Sequence, residues 1–281
     1  MRGGSVKRMR LFSVIFVIAF VFGSWGSARA QNEITLMAMG PGRRPTDKNI
    51  ANFEAKSGYK VKVTYVNGVE TRQLVAKGQP LDVNLIVAPF PGAVASQTIN
   101  ASSATPVTSV VWVLAVPKGA PKPDISTPAA VKKALLAAKS IGFEDPDFTV
   151  AGQGPLETLT KLGIADQVAT KCKVELGPAS RGIDPSVTDA VVKTITRLEQ
   201  GTIDIALHDL NDLIADQDKY QIVGVLPRDV VAPTPIVGFL SARAKDNAGA
   251  KALLQYLASS EAQAIWKEGG LGAPEKWPVL N

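Results

Sequence analysis

Strand-like and helix-like segments alternate along almost the whole chain, and this alternation restricts the fold more than any other sequence feature. The segment Glu33–Met39 is strand-like, residues 46–56 carry apolar side chains at helical spacing, and Lys60–Val66 alternates polar and apolar side chains. The same order continues to residues 248–267, which hold one or two helices. Because strands that are joined through helices usually become parallel neighbours, the pattern predicts an α/β fold with mostly parallel sheets.

Two extended, proline-containing segments divide this pattern into two parts. Residues 107–116 form a long apolar strand that runs into the proline-rich residues 117–123, and residues 227–235 are again extended. Two such crossovers are typical of a hinge between two α/β lobes, with a ligand site at the carboxyl ends of the strands. The predicted lobe 1 comprises residues 31–112 and 233–281, and the predicted lobe 2 comprises residues 113–232. One continuous α/β domain is the alternative.

The first thirty residues have the composition of an export segment. Five basic residues and no acidic residue lie among them. Their apolar run, residues 11–22, is shorter than the ~20 residues that a membrane-spanning helix needs, and Ala28-Arg29-Ala30 matches the small-residue pattern before a signal peptidase site. We therefore expect a signal peptide that is cleaved after Ala30 and a mature protein in the periplasm. An uncleaved N-terminal anchor is the alternative.

The remaining chain is almost neutral, which argues against nucleic acid as a partner. The whole sequence has 31 Lys plus Arg and 25 Asp plus Glu, so removal of the five basic N-terminal residues leaves 26 bases and 25 acids. Nucleic-acid binding depends on clustered positive charge, which such a composition does not predict.

The chain contains few of the residues that catalysis requires. Cys172 is the single cysteine, so no intramolecular disulfide can form. Its two lysine neighbours can lower its thiol pKa, although a structural cysteine is the simpler interpretation. The sequence shows no nucleophile elbow and no metal-ligand helix. We therefore expect no enzyme, no metal and no cofactor; a periplasmic hydrolase built on Asp204, His208 and Asp209 is an alternative.

Five stretches of the chain, taken in order, resemble one family. They are residues 34–58, 68–82, 111–119, 142–163 and 250–269. These stretches are similar to the periplasmic molybdate-binding proteins of ABC importers, which are type II solute-binding proteins. The resemblance implies a two-lobe, periplasmic binding protein-like type II fold with a hinge of two crossover strands. It also implies a monomer that captures a small anion, such as molybdate or tungstate, and delivers it to an ABC permease in the inner membrane.

The family binds its oxyanion with hydroxyl groups and with backbone N–H groups at helix N-termini, where the helix dipole favours negative charge. Carried over position by position, these contacts fall on loops at Gly40, Gly68, Ala151 and Ser186, and at a strand end where His208-Asp209 replaces a family tyrosine. We expect the four loops to line one cleft. The candidate ligand-binding residues are Gly40, Gly42, Arg43, Arg44, Asn67, Gly68, Val69, Thr149, Ala151, Ser186, Val187, His208 and Asp209.

The hydroxyl residues of the first two family sites are missing, which leaves the identity of the ligand open. Gly40-Pro41 replaces the first pair, and Asn67-Gly68 stands at the second site. Arg43 and Arg44 can bind a carboxylate or a phosphate, or they are solvated loop charges. An organic acid or another small anion therefore fits as well as molybdate does. A subunit that has lost ligand binding and serves as an interaction or sensor protein is a further alternative.

Some of these assignments have plainer alternatives. The loop at residues 145–152 is an ordinary turn in one interpretation. A lone His208 beside Asp209 is more often a hydrogen-bonding residue of the core than a ligand. Glu70 would repel an anion unless it pairs with Arg72 or with an arginine of the first loop.

Overall fold

The structure is a computed structural model that describes residues 33–276 apart from residue 41, residue 148 and residues 176–188; of residues 175 and 189–193 it describes the backbone. The predicted signal peptide and the candidate ligand residues Ser186 and Val187 lie outside the described residues. In the described part of the chain, no helix combines the length and the apolar character that crossing a bilayer requires.

The described residues form eleven strands and ten α-helices. The strands are β1 (Glu33–Met39), β2 (Lys60–Val66), β3 (Val83–Val87), β4 (Thr105–Val110), β5 (Trp112–Pro117), β6 (Ile141–Glu144), β7 (Cys172–Glu175), β8 (Ile205–Asp209), β9 (Tyr220–Val225), β10 (Thr234–Leu240) and β11 (Leu271–Gly272). The helices are α1 (Arg43–Ser57), α2 (Gly68–Ala76), α3 (Pro91–Ala95), α4 (Pro128–Ala137), α5 (Val150–Lys161), α6 (Ala165–Val168), α7 (Asp189–Glu199), α8 (Leu210–Leu213), α9 (Ala248–Leu257) and α10 (Ser260–Glu268). The predicted strands β1 and β2 are confirmed with their predicted bounds.

The strands form two mixed sheets. One has the order β11-β4-β10-β3-β1-β2 and the other has the order β7-β6-β8-β5-β9. Among these strands four neighbouring pairs are parallel and five are antiparallel, which corrects the expectation of mostly parallel sheets. All but one of the antiparallel pairs involve β5 or β10. Each of these two strands arrives from the other sheet rather than through a helix, so it enters opposite to the strands that helices connect.

The chain passes from one sheet to the other inside a segment that the sequence predicts as a single strand. Residues 107–116 divide at Val111, so that β4 belongs to the six-stranded sheet and β5 to the five-stranded sheet. The chain returns between β9 and β10, and the indole Nε1 of Trp112 donates to Oγ1 of Thr234 at 3.2 Å where the two connections lie together. The boundaries of the two lobes stay a prediction.

Buried side chains alternate along the strands, so both sheets are covered on two faces. In β3, Val83 and Val87 belong to one hydrophobic cluster while Ile86 belongs to a second. In β5, Leu114 belongs to the first cluster while Val113 belongs to a third. The first cluster contains side chains from both sheets. This shared core holds the loops at the strand ends in fixed positions relative to one another.

Candidate functional site

Helix α2 beside the six-stranded sheet and helix α5 beside the five-stranded sheet begin against each other. Each helix follows a strand with a parallel neighbour, α2 after β2 and α5 after β6. A Cβ placed on Gly68 would lie 2.5 Å from Cγ2 of Val150, which is closer than carbon atoms approach without a clash. Glycine at position 68 therefore lets the two helix N-termini meet.

The side chain of Asn67 caps helix α2. Its Oδ1 accepts a hydrogen bond from the backbone N–H of Glu70 at 2.7 Å. The N–H groups of Gly68 and Val69 lie in the first turn, where a helix provides no acceptor of its own. These two N–H groups are the donors that α2 offers to a ligand.

Thr149 caps helix α5 in the same way. Its Oγ1 accepts from the N–H of Gly152 at 3.1 Å and donates to the carbonyl oxygen of Asp145 at 3.1 Å. The cap starts the helix at Val150, before the predicted start at Gly154. The N–H groups of Val150 and Ala151 have no acceptor within their own helix.

Close packing on strand β6 fixes the start of helix α5. A Cβ placed on Gly152 would lie 2.3 Å from the carbonyl oxygen of Glu144, so the first turn sits directly on the end of the strand. The first turns of α2 and α5, which together carry four backbone N–H groups without an acceptor in their own helix, lie beside each other. Both helix dipoles present their positive ends there, an arrangement that favours a negatively charged ligand.

Arg72 lies at this contact, although the sequence suggests it only as a counter-charge for Glu70. Its Nη1 donates to the carbonyl oxygen of Pro89 at 3.0 Å, its Nη2 donates to Oε1 of Gln153 at 3.2 Å, and its Nε donates to the carbonyl oxygen of Gly68 at 3.3 Å. Burial lowers the pKa of Arg72. Its position one turn after Gly68 is the sequence signal for this placement, because helical side chains lean toward the N-terminus.

Glu70 forms no ion pair with Arg72 in the described part of the chain. Its Oε2 is enclosed and has no hydrogen-bond partner among the described residues. The start of helix α2 therefore offers an acceptor as well as two donors.

The loop at Gly40 lies beside the start of α2. The N–H of Gly40 donates to the carbonyl oxygen of Val66 at 2.8 Å. The N–H group of this predicted ligand residue is therefore already hydrogen-bonded within the protein. Gly42 precedes α1 with φ 81°, a left-handed conformation that glycine adopts readily.

Arg43 and Arg44 are exposed on the first turn of α1. The Arg43 guanidinium lies over the Tyr65 ring, 4.9 Å from its centroid, and its Nε is 3.6 Å from Oδ2 of Asp47. These contacts hold Arg43 on the surface, which agrees with the interpretation of a solvated charge.

His208 and Asp209 lie in a buried cluster of acids. Nε2 of His208 is 3.3 Å from Oε1 of Glu144, and its Nδ1 is 3.4 Å from Oδ2 of Asp209. Burial by itself lowers the pKa of an imidazole, but the two carboxylates raise the pKa of His208 well above 6.5. Both ring nitrogens have protein partners and the surrounding acids repel anions, so His208 and Asp209 are not part of the ligand site proposed below.

Asp212 extends this cluster. Ligand atoms of His208, Asp209 and Asp212 lie within 4.8 Å of one another, and such a set of imidazole and carboxylate groups is able to hold a divalent cation. Burial and the charge of Asp209 raise the pKa of Asp212 well above 3.8. In this arrangement a bound proton relieves the repulsion between the acids.

The hydrolase alternative loses one of its three residues. Asp204 precedes β8 and its Oδ2 accepts from the N–H of Lys139 at 2.7 Å, whereas His208 lies near the other end of that strand, about 13 Å away at the rise of extended chain. Cys172 is half-buried, which agrees with the interpretation of a structural cysteine rather than a reactive thiol. Burial raises the pKa of its thiol and outweighs the opposite effect of Lys171.

The structure thus brings together six of the predicted residues and adds one. The residues at or beside the contact are Gly40, Asn67, Gly68, Val69, Thr149 and Ala151, and the added residue is Arg72. The fourth predicted loop, with Ser186 and Val187, lies outside the described residues.

Comparison with known proteins gives a family match over most of the chain. The family model for bacterial extracellular solute-binding proteins matches residues 34–272. A curated relative, an aconitate isomerase from Pseudomonas sp., is 27% identical over 252 residues, which cover 87% of this chain and 89% of that protein.

Solved structures with the same fold include binding proteins of several kinds. A substrate-binding domain assigned to a molybdenum ABC transporter from Clostridium difficile has a TM-score of 0.70 at 18% identity, covering 86% of this chain and 99% of that one. The periplasmic molybdate-binding protein of Azotobacter vinelandii has a TM-score of 0.63 at 15% identity, covering 86% and 100%. PEB3 with bound L-phospholactate has a TM-score of 0.59 at 16% identity, covering 85% and 99%. At such identities the similarity shows the fold, and the predicted two-lobe binding-protein fold is confirmed.

Proposed function

Because the chain belongs to the bacterial extracellular solute-binding proteins, we propose that it captures a small organic acid anion in the periplasm and delivers it to an ABC permease in the inner membrane. The proposal includes cleavage of the signal peptide after Ala30, a monomeric mature protein and two lobes that close on the solute. The observation that carries it is the meeting of two helix N-termini at Gly68 and Val150.

The charge of the proposed ligand follows from this contact. The N–H groups of Gly68, Val69, Val150 and Ala151 are donors without acceptors of their own helix, and two positive dipole ends face the same place. A carboxylate brings oxygens that accept from several donors at once. A neutral or cationic solute would leave these N–H groups without a strong acceptor.

An organic acid suits the described donors better than a bare oxyanion does. The side-chain oxygens of Asn67 and Thr149 accept from backbone N–H groups, and the hydroxyl of Thr149 donates to the carbonyl oxygen of Asp145. Neither residue therefore supplies the hydroxyl donors that the resemblance implies for molybdate. Two of the similar proteins also carry carboxylate-bearing compounds in their names, aconitate and L-phospholactate.

The binding function is tested with purified mature protein and a panel of solutes. Thermal shift followed by calorimetry is measured with mono-, di- and tricarboxylates, and with molybdate, tungstate, sulfate and phosphate, and thiamin serves as a cationic control. We expect the melting temperature to rise with at least one carboxylate, because a ligand at concentration [L] adds RT ln(1 + [L]/Kd) to the free energy of unfolding. Stabilisation by molybdate alone would show that the ligand is an oxyanion rather than an organic acid. Stabilisation by thiamin alone would overturn the proposal of an anion site.

A second candidate function is isomerisation of a tricarboxylate, which the 27% identical aconitate isomerase favours. Such a reaction needs a base beside the ligand to move a proton between carbons. The enclosed Oε2 of Glu70, which has no partner among the described residues, is the group at the contact that fits this role. Incubation with cis-aconitate and detection of trans-aconitate by proton NMR separates the two functions. The binder predicts no conversion, whereas conversion that disappears in Glu70→Gln would establish the isomerase.

A further inference from the structure

We infer that Arg72 binds a carboxylate group of the solute and that Gln153 holds the guanidinium in position for it. This inference rests on the proposed function, which it deepens by naming the residue that selects the ligand. Arg72 extends from helix α2, whereas Gln153 belongs to helix α5, so the hydrogen bond between them connects the two sheets at the contact.

Hydrogen bonds of Arg72 and Gln153 connect three chain segments that follow the carboxyl ends of strands. Arg72 reaches the carbonyl oxygen of Pro89 after β3 and the carbonyl oxygen of Gly68 after β2. Gln153 in turn donates from Nε2 to the carbonyl oxygen of Pro146, after β6, at 3.3 Å. The side chain of Gln153 is thus fixed at both ends of its amide, with Oε1 turned to Arg72.

The charge of Arg72 has no counterpart in the described part of the chain. Its three acceptors are two backbone carbonyls and an amide oxygen, and no carboxylate oxygen of the described residues lies within 4.0 Å of it. A guanidinium has five N–H groups, so the three bonds leave two of them. The guanidinium of Arg72 is thus half-buried, has neutral partners and keeps two N–H donors. A planar guanidinium with two such donors is suited to bind a carboxylate in a bidentate manner.

The neutral amide of Gln153 is essential to this arrangement. A carboxylate at position 153 would pair with Arg72 and satisfy its charge inside the protein. The variant Gln153→Glu therefore distinguishes two roles for Arg72. If Arg72 only bridges the two sheets, the variant gives Arg72 a charged acceptor, loses the donor to Pro146, and leaves ligand binding intact. If Arg72 binds the ligand carboxylate, the new acid competes with the ligand and weakens binding.

The experiment uses calorimetry of the mature protein with trans-aconitate as the probe. We expect Arg72→Gln and Gln153→Glu each to weaken binding at least about tenfold, because the first removes charge-assisted hydrogen bonds to the ligand and the second engages Arg72 with a carboxylate of the protein. Arg72→Lys keeps the charge but lacks the fork and is expected to bind more weakly than the wild type. Lys77→Gln removes the same charge from the exposed end of helix α2 and is expected to bind like the wild type.

The outcomes separate the inference from the function on which it rests. If the wild type binds trans-aconitate and Arg72→Gln binds it equally well, the assignment of Arg72 is overturned while the proposed function stands. If Gln153→Glu keeps the affinity of the wild type, Arg72 is only a bridge and the inference fails. If the wild type binds none of the carboxylates in the panel, the proposed function and the inference fail together.

Discussion

Gly68 and Val150, which begin helices beside different sheets, lie so close that a Cβ on Gly68 would come within 2.5 Å of Cγ2 of Val150. The two residues are far apart in the sequence, and the fold brings them together at the carboxyl ends of β2 and β6. The contact places the starts of α2 and α5 side by side. It exists only while the two sheets keep this relative position.

Substitution of Gly68 by alanine is expected to weaken ligand binding. The added methyl group clashes with Val150, and overpacking of this kind costs about 1–3 kcal/mol, which corresponds to roughly 5- to 150-fold in affinity. The backbone of Gly68 does not have a positive φ, so alanine fits the helix and the protein is expected to fold. Calorimetry with the best carboxylate of the panel measures the affinity.

The variant Val150→Ala supplies the control for this prediction. Removal of Cγ2 leaves the Cβ of Val150 at 3.6 Å from the added methyl group, so the double variant is expected to regain most of the lost affinity. Contacting residues show such non-additive effects, whereas distant ones do not. Purely additive effects of the two substitutions would contradict a role for this contact in binding.

Substitution of Thr149 by alanine is expected to lower the free energy of unfolding by about 1 kcal/mol, because it removes the cap of helix α5. Thr149→Ser keeps the oxygen that accepts from Gly152 and is expected to retain both stability and affinity. Urea denaturation of the ligand-free protein measures the difference. If the alanine variant is as stable as the wild type, the hydroxyl serves something other than the cap.

The buried cluster around His208 predicts that stability falls as the pH rises. The pKa of His208 is raised in the folded protein well above 6.5 by Asp209 and Glu144, so the folded state holds the proton more tightly than the unfolded state. This contribution is fully present below about pH 6.5 and is lost as the pH rises through the folded pKa. Asp212, whose pKa is also raised, acts in the same direction from about pH 4 upward.

Urea denaturation at about pH 6, 7.5 and 9 tests this sign, since the free energy of unfolding should decline across that window. His208→Gln carries no titrating ring and is expected to show a smaller decline between the same pH values. A wild-type protein that becomes more stable with rising pH would show that the imidazole is neutral in the folded state.

Local features of this fold were predictable from the sequence. Strands β1 and β2 agree with their predicted bounds because β2 alternates polar and apolar side chains, whereas β1 consists mostly of buried side chains. Helix α5 begins at Val150 rather than at the predicted Gly154, because residues up to Gly152 look like part of a loop in the sequence. In the structure Thr149 caps the helix, and the two glycines allow close packing against β6 and against the ring of Trp112.

Contacts between segments that are distant in the chain were harder to predict from the sequence. The apolar residues 107–116 read as one strand, and nothing in their pattern marks Val111 as the point where the chain changes sheets. Arg72 was visible only as a charge near Glu70, because its contacts with Pro89 and Gln153 depend on the approach of the two helices. The family resemblance located the loops at Gly68 and Ala151, but it did not reveal which of their side chains form hydrogen bonds within the protein.

The most direct test of the anion site is an NMR titration of the ¹⁵N-labelled mature protein with trans-aconitate. We expect the amide proton resonances of Gly68, Val69, Val150 and Ala151 to move downfield as their N–H groups donate to the carboxylates. All four should saturate at the dissociation constant that calorimetry gives. Saturable shifts elsewhere in the protein, with these four resonances unchanged, would contradict an anion held between the starts of α2 and α5.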